Sequence, residues 1–143
     1  MINHMVYLDK EIYKEILDFV ERVPEESCGF LFGKISLENK CINNFIAVKN
    51  VSEEDRSKRY RISAIDYLMA ENFAEDHELE LLGIYHTHLD CPATPSEVDR
   101  ESALPNLSYV IISLHNLLFS DLRCWRLNGS YRFEEEKIEI NNI

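Results

Sequence analysis

The chain has 143 residues, with 26 acidic against 15 basic side chains and a formal charge of −11. That length suits one domain, expected over residues 1–143, that buries well over half of the surface its unfolded chain exposes. The charge repels phosphate backbones and anionic headgroups, so no nucleic-acid and no membrane partner is expected, although a local basic patch runs from Arg56 to Arg61.

The stretch from Met1 to Asp9 lacks a basic leader followed by an apolar core, and no later run approaches a membrane span, which predicts a soluble, cytoplasmic protein. From Asp9 to Val23, Ile12, Ile16, Phe19, Val20 and Val23 recur at spacings of three and four, the stripe of a helix that stops before Pro24. The run Ser27 to Gly33 is short, apolar and bounded by glycine, as in a buried strand, and a further strand is expected from Lys40 to Val48. The charged segment from Ser52 to Arg59 reads as a solvated loop. Ser63 then offers an N-cap to a second helix whose apolar face would carry Ile65, Leu68, Met69 and Phe73.

Leu79 to Tyr85 reads as a strand leading into His86, and Tyr109 to Leu114 is the strongest buried-strand signal in the chain. Arg123 to Leu127 and Tyr131 to Ile140 are expected to pair across Asn128-Gly129 as a hairpin. The acidic run Glu134 to Glu136 reads as a solvated face. This alternation predicts an α/β (α+β) fold with a central mixed β-sheet flanked by helices. Cys28, Cys41, Cys91 and Cys124 form no C-x-x-C pair, and neither a structural zinc site nor a redox dithiol follows from their spacing.

The chemistry gathers in the stretch HTHLDCPATPSEVD, residues 86–99. In extended backbone His86 and His88 project to one side, the geometry of a bidentate metal chelate, while Thr87 points away. Pro92 and Pro95 stiffen the loop that follows, and Ser96 can begin a helix with Asp99 in its first turn. A structural explanation competes here, since Ser-x-x-Asp is close to a helix capping box. The two readings are compatible if Asp99 faces inward. Two imidazoles and a carboxylate with a fourth position left for water make a catalytic rather than a structural zinc site. His4, His77 and His115 read as ordinary surface or satisfied histidines.

His86-x-His88, seven intervening residues and Ser96-x-x-Asp99, with Pro24-x-Glu26-x-Cys28-Gly29 upstream, resemble the JAMM (MPN+, JAB-domain) metalloisopeptidase family over most of the chain. The resemblance implies a JAB1/MPN-like fold with a cytidine-deaminase-like architecture. It also implies one Zn²⁺ ion held by His86, His88 and Asp99, with Glu26 rather than its neighbour Glu25 taking a proton from water, and Ser96 stabilising the oxyanion. Leu89 stands where many members have proline, and Thr87 where serine is commoner. The implied activity is hydrolysis of an amide or isopeptide bond after the C-terminal glycine of a ubiquitin-like or sulfur-carrier protein, in the compact prokaryotic type of the family. A non-catalytic MPN scaffold that binds ubiquitin-like proteins, or a metallopeptidase acting on small peptides, would be the alternatives.

Overall fold

The computed structural model describes residues 4–143. The first three, on which part of the leader reading rests, lie outside the described residues. Seven strands form among the described residues: β1 (Met5–Asp9), β2 (Cys28–Ser36), β3 (Asn39–Val48), β4 (Glu80–Leu89), β5 (Ser108–His115), β6 (Leu118–Leu127) and β7 (Phe133–Asn141). They close into a barrel in the order β1-β3-β2-β4-β5-β6-β7. The pairs β1–β3, β1–β7 and β4–β5 are parallel and the other four are antiparallel. The expected mixed sheet is therefore present, but it closes on itself instead of lying open between helical layers. The short strand β1, inserted between β3 and β7, completes the ring.

Among the described residues three helices accompany the barrel: α1 (Lys10–Val20), α2 (Ala64–Asp76) and α3 (Glu97–Ser102). In α1 the Asp9 carboxylate accepts the Ile12 N–H as an N-cap, and Ile16 and Val20 are buried. They join Leu8, Leu31, Ile42, Val110 and Ile112 in one cluster. Alternate residues of the same strands, Cys28, Phe30, Phe32, Ile84 and Tyr109, pack with α2 in a second cluster. Strand β4 is thus covered on both faces, which is why the chain from Leu82 to His88 is buried without interruption.

Ser63 caps α2 as expected, but the face turned inward differs. Ala70 and Ala74 are buried, whereas Ile65, Leu68 and Met69 are 70%, 58% and 55% exposed. Small side chains let the helix axis approach the sheet, and the larger ones are left outside. The acidic run also divides. Glu134 and Glu135 are exposed, but Glu136 is buried, accepting from Ser108 Oγ at 2.7 Å with His4 Nε2 at 2.6 Å from its other oxygen. A buried carboxylate is tolerable only with such partners.

The expected terminal hairpin forms, although its loop spans residues 128–132 rather than a two-residue turn. Two tight hairpins, Leu37-Glu38 and Asn116-Leu117, have φ of 51°, 69°, 50° and 62°, the left-handed values of a primed turn, in a sequence with no glycine to announce them. At Gly33 an added Cβ would stand 1.8 Å from the Cys41 carbonyl oxygen, so closure of β2 on β3 requires glycine there. No helix among the described residues is long and apolar enough to cross a membrane.

Candidate metal centre

Strand β4 does not end before the histidines but carries them. His86 pairs with Cys28 across the β2–β4 ladder, and just beyond that pair the ladder ties Glu26's segment to the strand. The Thr87 N–H donates to the Ser27 carbonyl at 3.0 Å, and the Ser27 N–H donates to Thr87 Oγ1 at 2.8 Å. Thr87 is completely buried, and its hydroxyl fixes the backbone beside Glu26 while the flanking imidazoles face the other way.

After Leu89 the chain turns at Asp90, whose φ of 57° is left-handed. The loop that follows is pinned along its length. The Asp90 N–H donates to the Leu114 carbonyl, Ser113 Oγ to the Cys91 carbonyl, and Trp125 Nε1 to the Ala93 carbonyl at 2.9 Å. Cys91 is exposed on this loop, as expected for a loop residue, and Cys28 is buried beside Glu26's segment. The loop delivers Ser96 as the N-cap of α3 in a complete capping box. The Asp99 N–H donates to Ser96 Oγ at 3.1 Å, and the Ser96 N–H to Asp99 Oδ2 at 2.9 Å. Capping and an inward-facing carboxylate coexist, because the same Asp99 Oδ2 reaches both imidazoles.

Asp99 Oδ2 lies 3.0 Å from His88 Nε2 and 3.3 Å from His86 Nε2. One potential ligand atom from each of the three buried residues falls within 4.8 Å of the others. His88 Nδ1 is 2.7 Å from the Pro92 carbonyl oxygen. A carbonyl can only accept, so the proton sits on Nδ1 and the Nε2 lone pair of a neutral ring would face a carboxylate oxygen. That juxtaposition needs either a second proton or a cation between the two atoms. His86 makes the same demand more strongly. It is 1% exposed, and neither of its ring nitrogens has a hydrogen-bond partner. Two imidazole nitrogens and a carboxylate oxygen, converging in a buried group, fit a divalent cation such as zinc.

The electrostatics divide sharply within the site. Burial pushes Asp99 toward the neutral form, but the facing imidazoles of His86 and His88 and the Ser96 N–H outweigh it and hold the carboxyl far below the usual carboxylate range. Burial likewise lowers His88, yet its bonds to Asp99 and Pro92 leave it raised overall; His86, deeper and with fewer partners, is lowered by burial. Glu26 behaves in the opposite sense to Asp99. It is 4% exposed, and burial lifts its carboxyl to about 8, with His88 pulling it down and Asp99 pushing it up. Two neighbouring carboxyl groups with opposed titration are the arrangement of a group that stays ionised beside one that can carry a proton.

All five residues singled out in the sequence therefore occupy one end of the barrel. His86, His88 and Asp99 touch one another. Glu26 is close enough for His88 and Asp99 to act on its charge, and the Ser96 hydroxyl sits at the start of the helix that carries Asp99. Two neighbours went unnoticed in the sequence. The Tyr60 ring stacks on His86 with centroids 4.3 Å apart and planes at 21°. Asn50, buried, donates to the Glu26 carbonyl at 2.9 Å. Both belong to the segment around the charged run read as a solvated loop, and only an aromatic residue set among charges hinted at either. Tyr60 also lines an open groove of about 660 Å³, together with the apolar Ile62, Val98 and Leu104 and the charged Glu53, Glu54 and Arg61.

Comparison with known proteins bears on this arrangement. A family model described as prokaryotic homologs of the JAB domain matches residues 9–128. The chain is 30% identical over 128 residues to the desampylase of Pyrococcus furiosus, covering 89% of this chain and 84% of that one. Among solved structures, a protein from Desulfitobacterium hafniense superimposes with a TM-score of 0.84 at 24% identity, covering 97% of this chain and 94% of the other, a likeness of fold. A protein from Salinibacter ruber reaches a TM-score of 0.65 at 32% identity, covering 90% and 88% respectively.

Proposed function

The chain belongs to the family of prokaryotic JAB-domain homologs, and from that membership and the buried His86–His88–Asp99 group we propose that it is a zinc-dependent hydrolase of amide or isopeptide bonds, built as one domain over residues 1–143 and acting in the cytoplasm. The substrate we assign is a ubiquitin-like or sulfur-carrier protein, cut after its C-terminal glycine. Three features support this reading: the relative named a desampylase, the donor set, and an open groove beside His86 that mixes apolar side chains such as Ile62 and Val98 with charged ones such as Glu54 and Arg61. The observation that carries it is the convergence of two imidazole nitrogens and one carboxylate oxygen in a buried group where His86 has no hydrogen-bond partner.

His86 Nε2, His88 Nε2 and an Asp99 oxygen would hold the ion. When bound there, zinc supplies Lewis acidity, polarising a carbonyl and bringing the pKa of water to about 7. Glu26 takes the proton of the attacking water and returns it to the departing amine; a divalent cation beside it would draw the carboxyl down from its metal-free value of about 8 toward the ionised form that a base needs. Ser96 Oγ already accepts the Asp99 N–H, which leaves the hydroxyl's own proton free to donate to the oxyanion as the carbonyl becomes tetrahedral. Tyr60, stacked on His86, keeps water off that face of the imidazole.

The test is a panel: a ubiquitin-like protein with a peptide fused after its terminal glycine, the same protein in isopeptide linkage to a lysine, a carrier protein bearing a C-terminal amino-acid adduct, and short peptides. Zinc-loaded protein is expected to cleave at least one of the first three after glycine, and Glu26→Gln to cleave none. Turnover confined to short peptides would overturn the substrate, and no turnover by fully zinc-loaded protein would favour a binding module instead.

A further inference from the structure

We propose that Tyr60, clamped by Asn50, is the positioning residue for His86, taking the place of the hydrogen bond that normally orients a metal-binding imidazole; the inference rests on the reading of His86 as a ligand. A metal-binding histidine usually donates its second ring N–H to a carbonyl or carboxylate, which fixes both tautomer and ring rotation. His88 follows that rule through the Pro92 carbonyl. His86 does not, since its Nδ1 is buried without a partner. No hydrogen bond at Nδ1 therefore opposes rotation of that ring about its Cβ–Cγ bond, which would carry Nε2 away from Asp99. What opposes rotation is the flat face of Tyr60, nearly parallel to the imidazole at 4.3 Å. Turning the ring would drive its edge into the phenol.

A stacking partner orients a ligand only if it is held itself, and Tyr60 is held from both sides. Asn50 Nδ2 donates to the carbonyls of Glu26 (2.9 Å) and Arg59 (2.8 Å), and its Oδ1 accepts the N–H groups of Ser52 (3.0 Å) and Arg61 (3.1 Å). The side-chain amide has two donors and two lone pairs, and all four are used. Two of those bonds bracket Tyr60 in the chain, and a third grips the backbone of Glu26. The Glu26 N–H also donates to the Arg56 carbonyl at 2.7 Å. One buried amide thereby couples the position of Glu26 to the position of the ring beneath His86. The charged segment 52–59 serves as the strap that brings these parts together.

Zinc affinity measured by competition with a chromophoric chelator, and the visible spectrum of the cobalt-substituted protein, test this without reference to turnover. Tyr60→Phe keeps the flat face and is expected to match wild type in both. Tyr60→Leu removes it, and is expected to weaken zinc about 10- to 100-fold and to shift the cobalt bands, while circular dichroism shows a folded chain. If the Leu variant does not fold, Tyr60→Met, which retains apolar bulk without a flat face, is held to the same criteria. A folded Leu or Met variant with wild-type affinity and spectrum overturns the inference, as does a Phe variant as impaired as Leu. Wild-type protein that takes up one equivalent of zinc alongside an unimpaired Leu variant sinks this inference alone; wild-type protein that takes up none sinks the metal reading together with it.

Discussion

Glu26→Gln should stabilise the metal-free protein, and the margin should widen as the pH rises. Burial lifts the Glu26 carboxyl from an ordinary value of 4.5 to about 8. A folded-state pKa above the unfolded one means that folding favours the protonated form. The contribution to stability is complete below pH 4.5 and is lost progressively as the pH climbs to about 8. At about 1.4 kcal/mol per pH unit, that interval is worth about 5 kcal/mol. For a chain of this size, each kcal/mol moves the melting midpoint by about 3 °C. The Gln variant and wild type, both stripped with chelator, are therefore expected to melt together near pH 4.5 and to separate by about 15 °C, with Gln the higher, at pH 9. Other titrating groups are common to both proteins and largely cancel in the difference. Differential scanning calorimetry across five buffers from pH 4.5 to 9 measures it directly. A gap that stays flat with pH, or a Gln variant less stable at pH 9, would show that Glu26 is not the desolvated carboxyl described above.

Replacing Ser96 by Ala removes the acceptor of the Asp99 N–H and the donor assigned to the oxyanion. The expected results are a fall of about 100- to 1000-fold in kcat with zinc still bound, and about 1 kcal/mol less stability from the lost cap, read by steady-state kinetics and urea titration; Ser96→Thr should recover most of both. Gly33→Ala puts a methyl group 1.8 Å from the Cys41 carbonyl oxygen and should cost about 3 kcal/mol in urea unfolding. Gly129→Ala, whose added Cβ meets nothing within 4 Å, should stay within about 0.5 kcal/mol of wild type in the same assay.

The candidate site was legible because its chemistry is local. His86-x-His88 needs only extended backbone to aim two rings one way, and Ser96-x-x-Asp99 needs only a helix start to place its carboxylate. Glu26 was legible through resemblance alone, as its approach depends on the β2–β4 ladder, a contact 60 positions apart in the Ser27–Thr87 bond. The closed barrel was hidden for a similar reason. Met5–Asp9 is five residues long, and its strand character comes from parallel pairing with β3 on one side and β7 on the other. Periodicity misled at α2, where Ile65, Leu68 and Met69 form a plausible stripe but Ala70 and Ala74 permit the closer approach. Glu136 misled in the other direction. Its partners, Ser108 and His4, come from distant parts of the chain, and an acid in a run of acids carries no sign of them. The loop from Asn50 to Arg61 was the most deeply concealed. Its composition is that of a solvated segment, while its function lies in one buried amide and one ring.

Zinc content and turnover measured together in four proteins test the central claim most directly. Wild type and Glu26→Gln are each expected to hold one equivalent of zinc, with only wild type hydrolysing a ubiquitin-like fusion; His88→Ala and Asp99→Asn should hold far less and hydrolyse nothing. Full zinc in His88→Ala, or undiminished turnover in zinc-loaded Glu26→Gln, would contradict the convergence of these side chains on a single catalytic ion.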